Sequence, residues 1–175
     1  LVLSDLINKT TLNKVGYRFI YSEGADSRGI GVALLYRKEF SLFSSKSYYP
    51  LNEQGDTIKT RSVLFAKLAY KKDTLGIIVT HWPSRRGGVS VSDKLREDVA
   101  SMIKDSILAL SGDMKLVVMG DFNCEPDSYI IQSMSLAGNP STGKTLLGNP
   151  ALSSPAGELG TYKYQGLWYT YDQIL

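Results

Sequence analysis

Lys115-Leu116-Val117-Val118-Met119-Gly120-Asp121-Phe122-Asn123 is the stretch whose reading decides the fold. Four successive apolar residues bounded by a lysine and a glycine read as a short strand buried on both faces. Asp121 stands at its C-terminal end, where open sheets place reacting groups. Asp121 and Asn123 alternate across one apolar residue, so an extended backbone would turn both side chains the same way. The carboxylate can bind a divalent cation or orient a water, and the amide can donate to a phosphate oxygen. The same two residues also suit an Asx-turn that closes a strand, and their spacing leaves both readings open.

Working outward, residues 90–110 form the one long helical pattern, with Val91, Leu95, Val99, Met102, Ile103, Ile107 and Leu110 as its apolar stripe. Ser90 and Asp93 suggest a capping box, and Gly112 a C-cap. Upstream, residues 62–70 and 75–80 read as antiparallel strands joined by Lys71-Lys72-Asp73-Thr74. Residues 15–21, 29–37 and 40–51 read as three earlier strands, and residues 3–8 as the end of a helix. Downstream, residues 127–135 predict a short helix and residues 137–160 a long Gly/Pro/Ser/Asn loop. Residues 161–164 and 168–175 predict a closing strand pair around Gln165-Gly166. Strands outnumber helices, which points to helices packed on mostly antiparallel sheets.

The chain has 175 residues with 43% hydrophobic and 21% charged residues, the composition of one globular domain with a substantial core. No repeat or linker divides it, so residues 1–175 are expected to form a single domain. No apolar run is long enough for a transmembrane helix. One cysteine excludes a disulfide framework and a cysteine-rich zinc site. One histidine, His81, excludes a site needing two imidazoles from this chain. A net charge of +3 favours an anionic partner only mildly. The sequence opens at Leu1 without a signal-peptide pattern and stops at Leu175 inside an apolar run. Both ends read as cuts through structured polypeptide, and the compartment is left unassigned.

Two further segments carry candidate chemistry. Thr80-His81-Trp82-Pro83-Ser84-Arg85-Arg86-Gly87-Gly88 places the histidine after a buried strand and before a basic, glycine-bearing loop. An imidazole can donate to phosphate, and a guanidinium can grip two phosphate oxygens. A structural histidine and a solvated arginine loop are the plainer alternatives. In Tyr171-Asp172-Gln173-Ile174 an acidic residue interrupts an aromatic and apolar run, which would be costly if buried without a partner.

Taken together, GIGVALLYRK (29–38), THWPSRRGG (80–88), GDFNCEP (120–126) and YDQIL (171–175) resemble the endonuclease/exonuclease/phosphatase superfamily of deoxyribonuclease-type metal-dependent phosphodiesterases. GDFN followed by a helix is the most specific of these marks. THW/PSR before a long helix is typical of bacterial members of unassigned substrate. The resemblance covers residues 15–175. It implies an α+β fold: a four-layered α/β/β/α sandwich of two facing mixed sheets, incomplete at both chain ends.

It also implies metal-assisted hydrolysis of a phosphate ester by a nuclease, phosphodiesterase or phosphatase. His81 would donate to the scissile phosphate. Asp121 would orient or deprotonate the attacking water and contact the metal. Asn123 would hold a phosphate oxygen or the nucleophile, as a further metal contact. Asp172 would orient a second histidine. Arg85 and Arg28 are weaker phosphate-binding candidates, and Cys124 is a packed side chain without a role. The cofactor implied is Mg²⁺ or Mn²⁺, weakly bound or absent in these residues alone. The substrate candidates include nucleic acid and phospholipid head groups, and no protein partner is implied. The family's metal-binding Glu would lie before Leu1 and its catalytic histidine after Leu175. These 175 residues alone are therefore expected to be inactive or nearly so, within a parent hydrolase. A non-catalytic binding or scaffold module on the same fold is the alternative.

Overall fold

The computed structural model describes residues 2–85, 88–108, 114–135, 147–153 and 160–175. The long loop expected over 137–160 and the cap at Gly112 lie mostly outside these residues. Helix α1 (Val2–Asn8) leads into strands β1 (Tyr17–Ser22) and β2 (Val32–Arg37). Strands β3 (Ser41–Tyr48), β4 (Val63–Tyr70) and β5 (Asp73–His81) follow. Helix α2 (Val89–Met102) continues as a π-helical turn, Ile103–Leu108. Strand β6 (Lys115–Asp121), helix α3 (Tyr129–Ser135), a 3₁₀ turn (Pro150–Ser153), β7 (Tyr162–Tyr164), β8 (Leu167–Tyr169) and β9 (Asp172–Ile174) complete the order.

The main sheet runs β3-β4-β5-β6-β9, with β1-β2 and β7-β8 as separate antiparallel pairs. Among the described strands only β5 and β6 pair in parallel, so the sheet is mixed. Helix α2 supplies the crossover that a parallel pair requires. Each face of the sheet has its own core. Leu64, Ala66, Leu68, Ile77, Val79, Val117 and Met119 face β2 through Val32, Leu34 and Tyr36. Val63, Phe65, Ile78, Trp82, Val118 and Phe122 face α2 and α3. This alternation explains the continuous apolar runs of β4, β5 and β6, since both faces are covered. With α1 against β1, the arrangement is the expected α+β sandwich. Among the described residues, the second sheet is an antiparallel pair rather than a mixed sheet.

Three expectations are corrected. The closing strands do not form one hairpin: residues 162–169 do, whereas Asp172–Ile174 joins the main sheet beside β6. No glycine or proline separates the two pieces, so the run looked continuous. Helix α2 starts at Val89 from Gly88 with no side-chain cap, and Asp93 pairs with Arg96 instead. Its inward stripe opens with Ser92 and Arg96, both buried, before Val99, Ile103 and Ile107, while Val91 is 59% exposed. The wider π turn keeps Ile103 and Ile107, four residues apart, on that same buried face.

Candidate active site

Parallel pairing in register aligns Thr80 with Gly120 and His81 with Asp121 at the C-terminal ends of β5 and β6. Asp121 is in turn opposite Asp172 on antiparallel β9. Residues paired across strands share a face, so all three polar groups stand on the side toward β2. His81 Nε2 is 3.5 Å from Asp121 Oδ2, and both side chains are about one-third exposed. Gly120 makes this approach possible: with φ +145°, a Cβ there would lie 1.8 Å from Thr80 O. Trp82 and Phe122, each next in chain to a polar residue, are fully buried on the opposite face and meet edge-on at 4.9 Å.

Beyond Asp121 the strand ends. Asn123 adopts a left-handed φ of 51°, so the extended geometry that would align it with Asp121 does not continue. Its backbone N–H donates to Asp121 Oδ1 (2.8 Å), and its side-chain amide donates to Trp82 O (3.0 Å). This is the Asx-turn geometry: Asn123 holds the Asp121 carboxylate and ties β6 to the loop after β5. Trp82 N–H donates to Asp121 O, closing the same joint.

A buried residue that sequence reasoning missed completes the cluster. Arg61, just before β4 and 6% exposed, donates from Nη2 to His81 Nε2 at 3.1 Å. A guanidinium cannot accept, so Nε2 is the acceptor and the imidazole proton is assigned to Nδ1. Burial, then the Arg61 charge, lowers the pKa of His81, against a raising effect from Asp121. Burial likewise lowers that of Arg61. Asp26, in the β1–β2 loop, accepts from the Arg28 backbone N–H (2.9 Å), Nε (3.0 Å) and Nη2 (2.9 Å). It also lies 3.7 Å from Arg61 Nη1. These bonds from Arg28 hold the Asp26 carboxyl well below the usual range. Two guanidiniums thus share the Asp26 carboxylate, and Asp121, 3.5 Å from His81, supplies a second negative charge to the cluster. No sequence spacing connects Asp26, Arg61 and His81. The only local signal was an arginine at the mouth of a buried strand.

The other candidates separate. Arg28 joins the cluster through Asp26. Arg85 does not: its guanidinium lies 5.8 Å above the ring of Tyr171, on the opposite face of β9 from Asp172. Asp172 is exposed, so it carries no burial cost. Cys124 is buried and its thiol is pushed up to about 11 by burial, which suits a packed, unreactive side chain.

Among the described residues no group of three or more His, Cys, Asp and Glu is arranged to hold a metal ion. The donor chemistry nevertheless fits a hard cation. Asp121 and Asp172 present carboxylate oxygens on one face, and Mg²⁺ commonly takes one or two carboxylates with waters and substrate phosphate.

An α+β sandwich with acidic and basic groups meeting at the ends of its central strands is thereby defined. The chain belongs to the endonuclease/exonuclease/phosphatase family, whose model matches residues 1–175. No curated protein matches. Among solved structures, the catalytic domain of human nocturnin with a bound sulfate is similar at 18% identity and a TM-score of 0.66, over 93% of this chain and 61% of that one. An endonuclease/exonuclease/phosphatase family protein from Bacteroides thetaiotaomicron is similar at 14% identity and a TM-score of 0.63, over 96% and 63%. ANGEL2, described as a 2′,3′-cyclic phosphatase, is similar at 21% identity and a TM-score of 0.56, over 71% and 37%. The chain therefore spans less than two-thirds of these structures.

Proposed function

We propose that this chain contributes the phosphate-binding and water-activating half of a metal-dependent phosphoric ester hydrolase. The observation that carries the reading is the His81–Asp121 pair, in register on parallel strands and flanked by the buried Arg61 guanidinium. In a substrate complex, Arg61 and Arg28 bind non-bridging phosphoryl oxygens, where fixed cations act strongly on developing charge. His81 supplies its Nδ1 hydrogen as a further donor. Asp121, fixed by the Asn123 backbone N–H, accepts a proton from the attacking water or orients it. Asn123 acts by positioning that carboxylate.

Asp121 and Asp172 are the residues that would hold a divalent cation. When bound, it would neutralise charge growing on the phosphoryl and leaving oxygens. On the resemblance, the family's Glu and second histidine lie outside residues 1–175, so turnover by these residues alone would be slow.

The test is hydrolysis of bis(p-nitrophenyl) phosphate, with Mg²⁺ and after EDTA, by the longest natural polypeptide that carries these residues. Asp121→Asn is expected to lower kcat by about 10²–10⁴ while leaving the circular dichroism spectrum unchanged. Retention of the wild-type rate would overturn the assignment.

A further inference from the structure

His81 Nε2 stands between two groups that make opposite demands on it. Arg61 Nη2, 3.1 Å away, is a donor and needs the lone pair of that nitrogen. Asp121 Oδ2, 3.5 Å away, is an acceptor and can use only a proton carried by it. A neutral ring cannot satisfy both. The neighbour that wins also fixes the tautomer: the proton is on Nδ1 if Arg61 wins and on Nε2 if Asp121 wins. The outcome matters to Asp121. Its Oδ1 already accepts from the Asn123 backbone N–H at 2.8 Å. A proton on Nε2 would engage Oδ2 as well and tie the carboxylate at both oxygens.

The group that tips this contest lies away from the reacting atoms. Asp26 Oδ2 is 3.7 Å from Arg61 Nη1, and both side chains are only 7% exposed. Arg61 Nε has no partner among the described residues. The orientation of the guanidinium therefore rests on Asp26 at Nη1 and His81 at Nη2. Asp26 is itself immobilised. Arg28 grips both of its oxygens, from Nε at 3.0 Å and Nη2 at 2.9 Å, and adds its backbone N–H at 2.9 Å. The loop carrying Asp26 lies directly on the residue it orients: a Cβ at Gly24 would meet Ile30 O at 2.6 Å and Arg61 Cα at 2.8 Å.

We propose that Asp26 is a positioning residue, which acts through Arg61 to keep the His81 proton on Nδ1 and so leaves Asp121 Oδ2 free for a water or a cation. Its consequence for turnover rests on the phosphoric ester hydrolase reading; the place of the proton does not. Without the Asp26 charge, a buried guanidinium loses the carboxylate that anchors Nη1, which is costly. The fork then turns, Nε2 is released, and the imidazole proton moves to face Asp121.

The experiment reads the tautomer without turnover. Long-range ¹H–¹⁵N spectra are recorded on the longest natural polypeptide that carries these residues, labelled with ¹⁵N-histidine and held in EDTA. A pH of about 8 keeps the imidazole neutral, and the His81 signals are those lost in His81→Gln. Wild type is expected to carry the proton on Nδ1, with Nε2 bare. Asp26→Asn, and Arg61→Met as deletion of the donor, are each expected to exchange the two patterns while the circular dichroism spectrum stays unchanged. A wild-type proton on Nε2 overturns the proposal whether or not the variants fold. So does an unchanged Asp26→Asn spectrum, or a switch that Arg61→Met does not reproduce. With bis(p-nitrophenyl) phosphate, Asp26→Asn is expected to lose roughly 10- to 100-fold in kcat, the scale for residues that orient a liganding side chain. An unchanged kcat in a variant whose tautomer has switched would also overturn the role. A wild type that cleaves nothing sinks the hydrolase reading, while the spectra decide the tautomer independently.

Discussion

Gly120→Ala probes the joint on which the site depends. In the β5–β6 pair, a Cβ at residue 120 would stand 1.8 Å from Thr80 O and 2.9 Å from Thr80 C. Ordinary contact begins at 3.4 Å, so the carbonyl would have to retreat by 3.4 − 1.8 = 1.6 Å. No side-chain rotation can supply that, because the obstacle is backbone. The strands cannot part freely either. The two strands pair in register from Leu75 with Lys115 to His81 with Asp121, and Trp82 N–H donates to Asp121 O at 2.8 Å just beyond. Alanine at φ +145° adds conformational strain. Overpacking and strain together amount to about 3–5 kcal/mol, a large share of the roughly 5–15 kcal/mol that holds a domain folded. The assay is urea unfolding followed by circular dichroism. A Gly120→Ala protein within about 1 kcal/mol of wild type, below the overpacking range, would refute the reasoning and imply that the strands separate more easily than their bonding indicates.

Two further outcomes follow from charges. Arg96 is fully buried and donates to Pro83 O at 2.9 Å, bracing the loop after His81. Arg96→Met leaves that buried carbonyl without its donor and should lower Tm by roughly 2–12 °C; a change under about 1 °C by calorimetry would contradict the brace. Asp26 has a folded pKa depressed below its ordinary 3.8, chiefly by the Arg28 side-chain bonds. Its stabilising effect is therefore complete above that ordinary value and is lost as pH falls through it toward the folded value. Between about pH 5 and about pH 3 the urea midpoint of wild type should fall more steeply than that of Asp26→Asn, and parallel slopes would show that the Arg28–Asp26–Arg61 cluster does not couple to folding.

The local grammar of the chain carried the central architecture. Apolar runs marked β4, β5 and β6, and a polar residue at each strand end marked His81 and Asp121. What stayed illegible was made by tertiary proximity. Arg61 reads as an ordinary residue before a strand until the β1–β2 loop brings Asp26 against it and β5 brings His81. Arg96 occupies a core-facing helical position, yet an apolar-stripe search passes over it because its burial depends on a carbonyl from a distant loop. Alternation aligns Asn123 with Asp121, whereas its left-handed φ makes it the clamp of that carboxylate. Four residues of sequence separate Arg85 from His81, yet the end of β5 carries the chain to the other face of the sheet.

Trp82 and Trp168 are the two tryptophans of the chain, and they occupy opposite environments. Trp82 is fully enclosed, its indole nitrogen without a hydrogen-bond partner among the described residues, one residue from His81. Trp168 is 41% exposed on the hairpin. Without any label, the protein thus contains two emitters of different colour: a dry, blue-shifted one beneath the histidine and a water-exposed, red-shifted one on the aromatic ribbon. Collisional quenchers such as iodide reach only the second, so one spectrum can follow the interior behind the His81–Asp121 pair and the outer hairpin as independent channels.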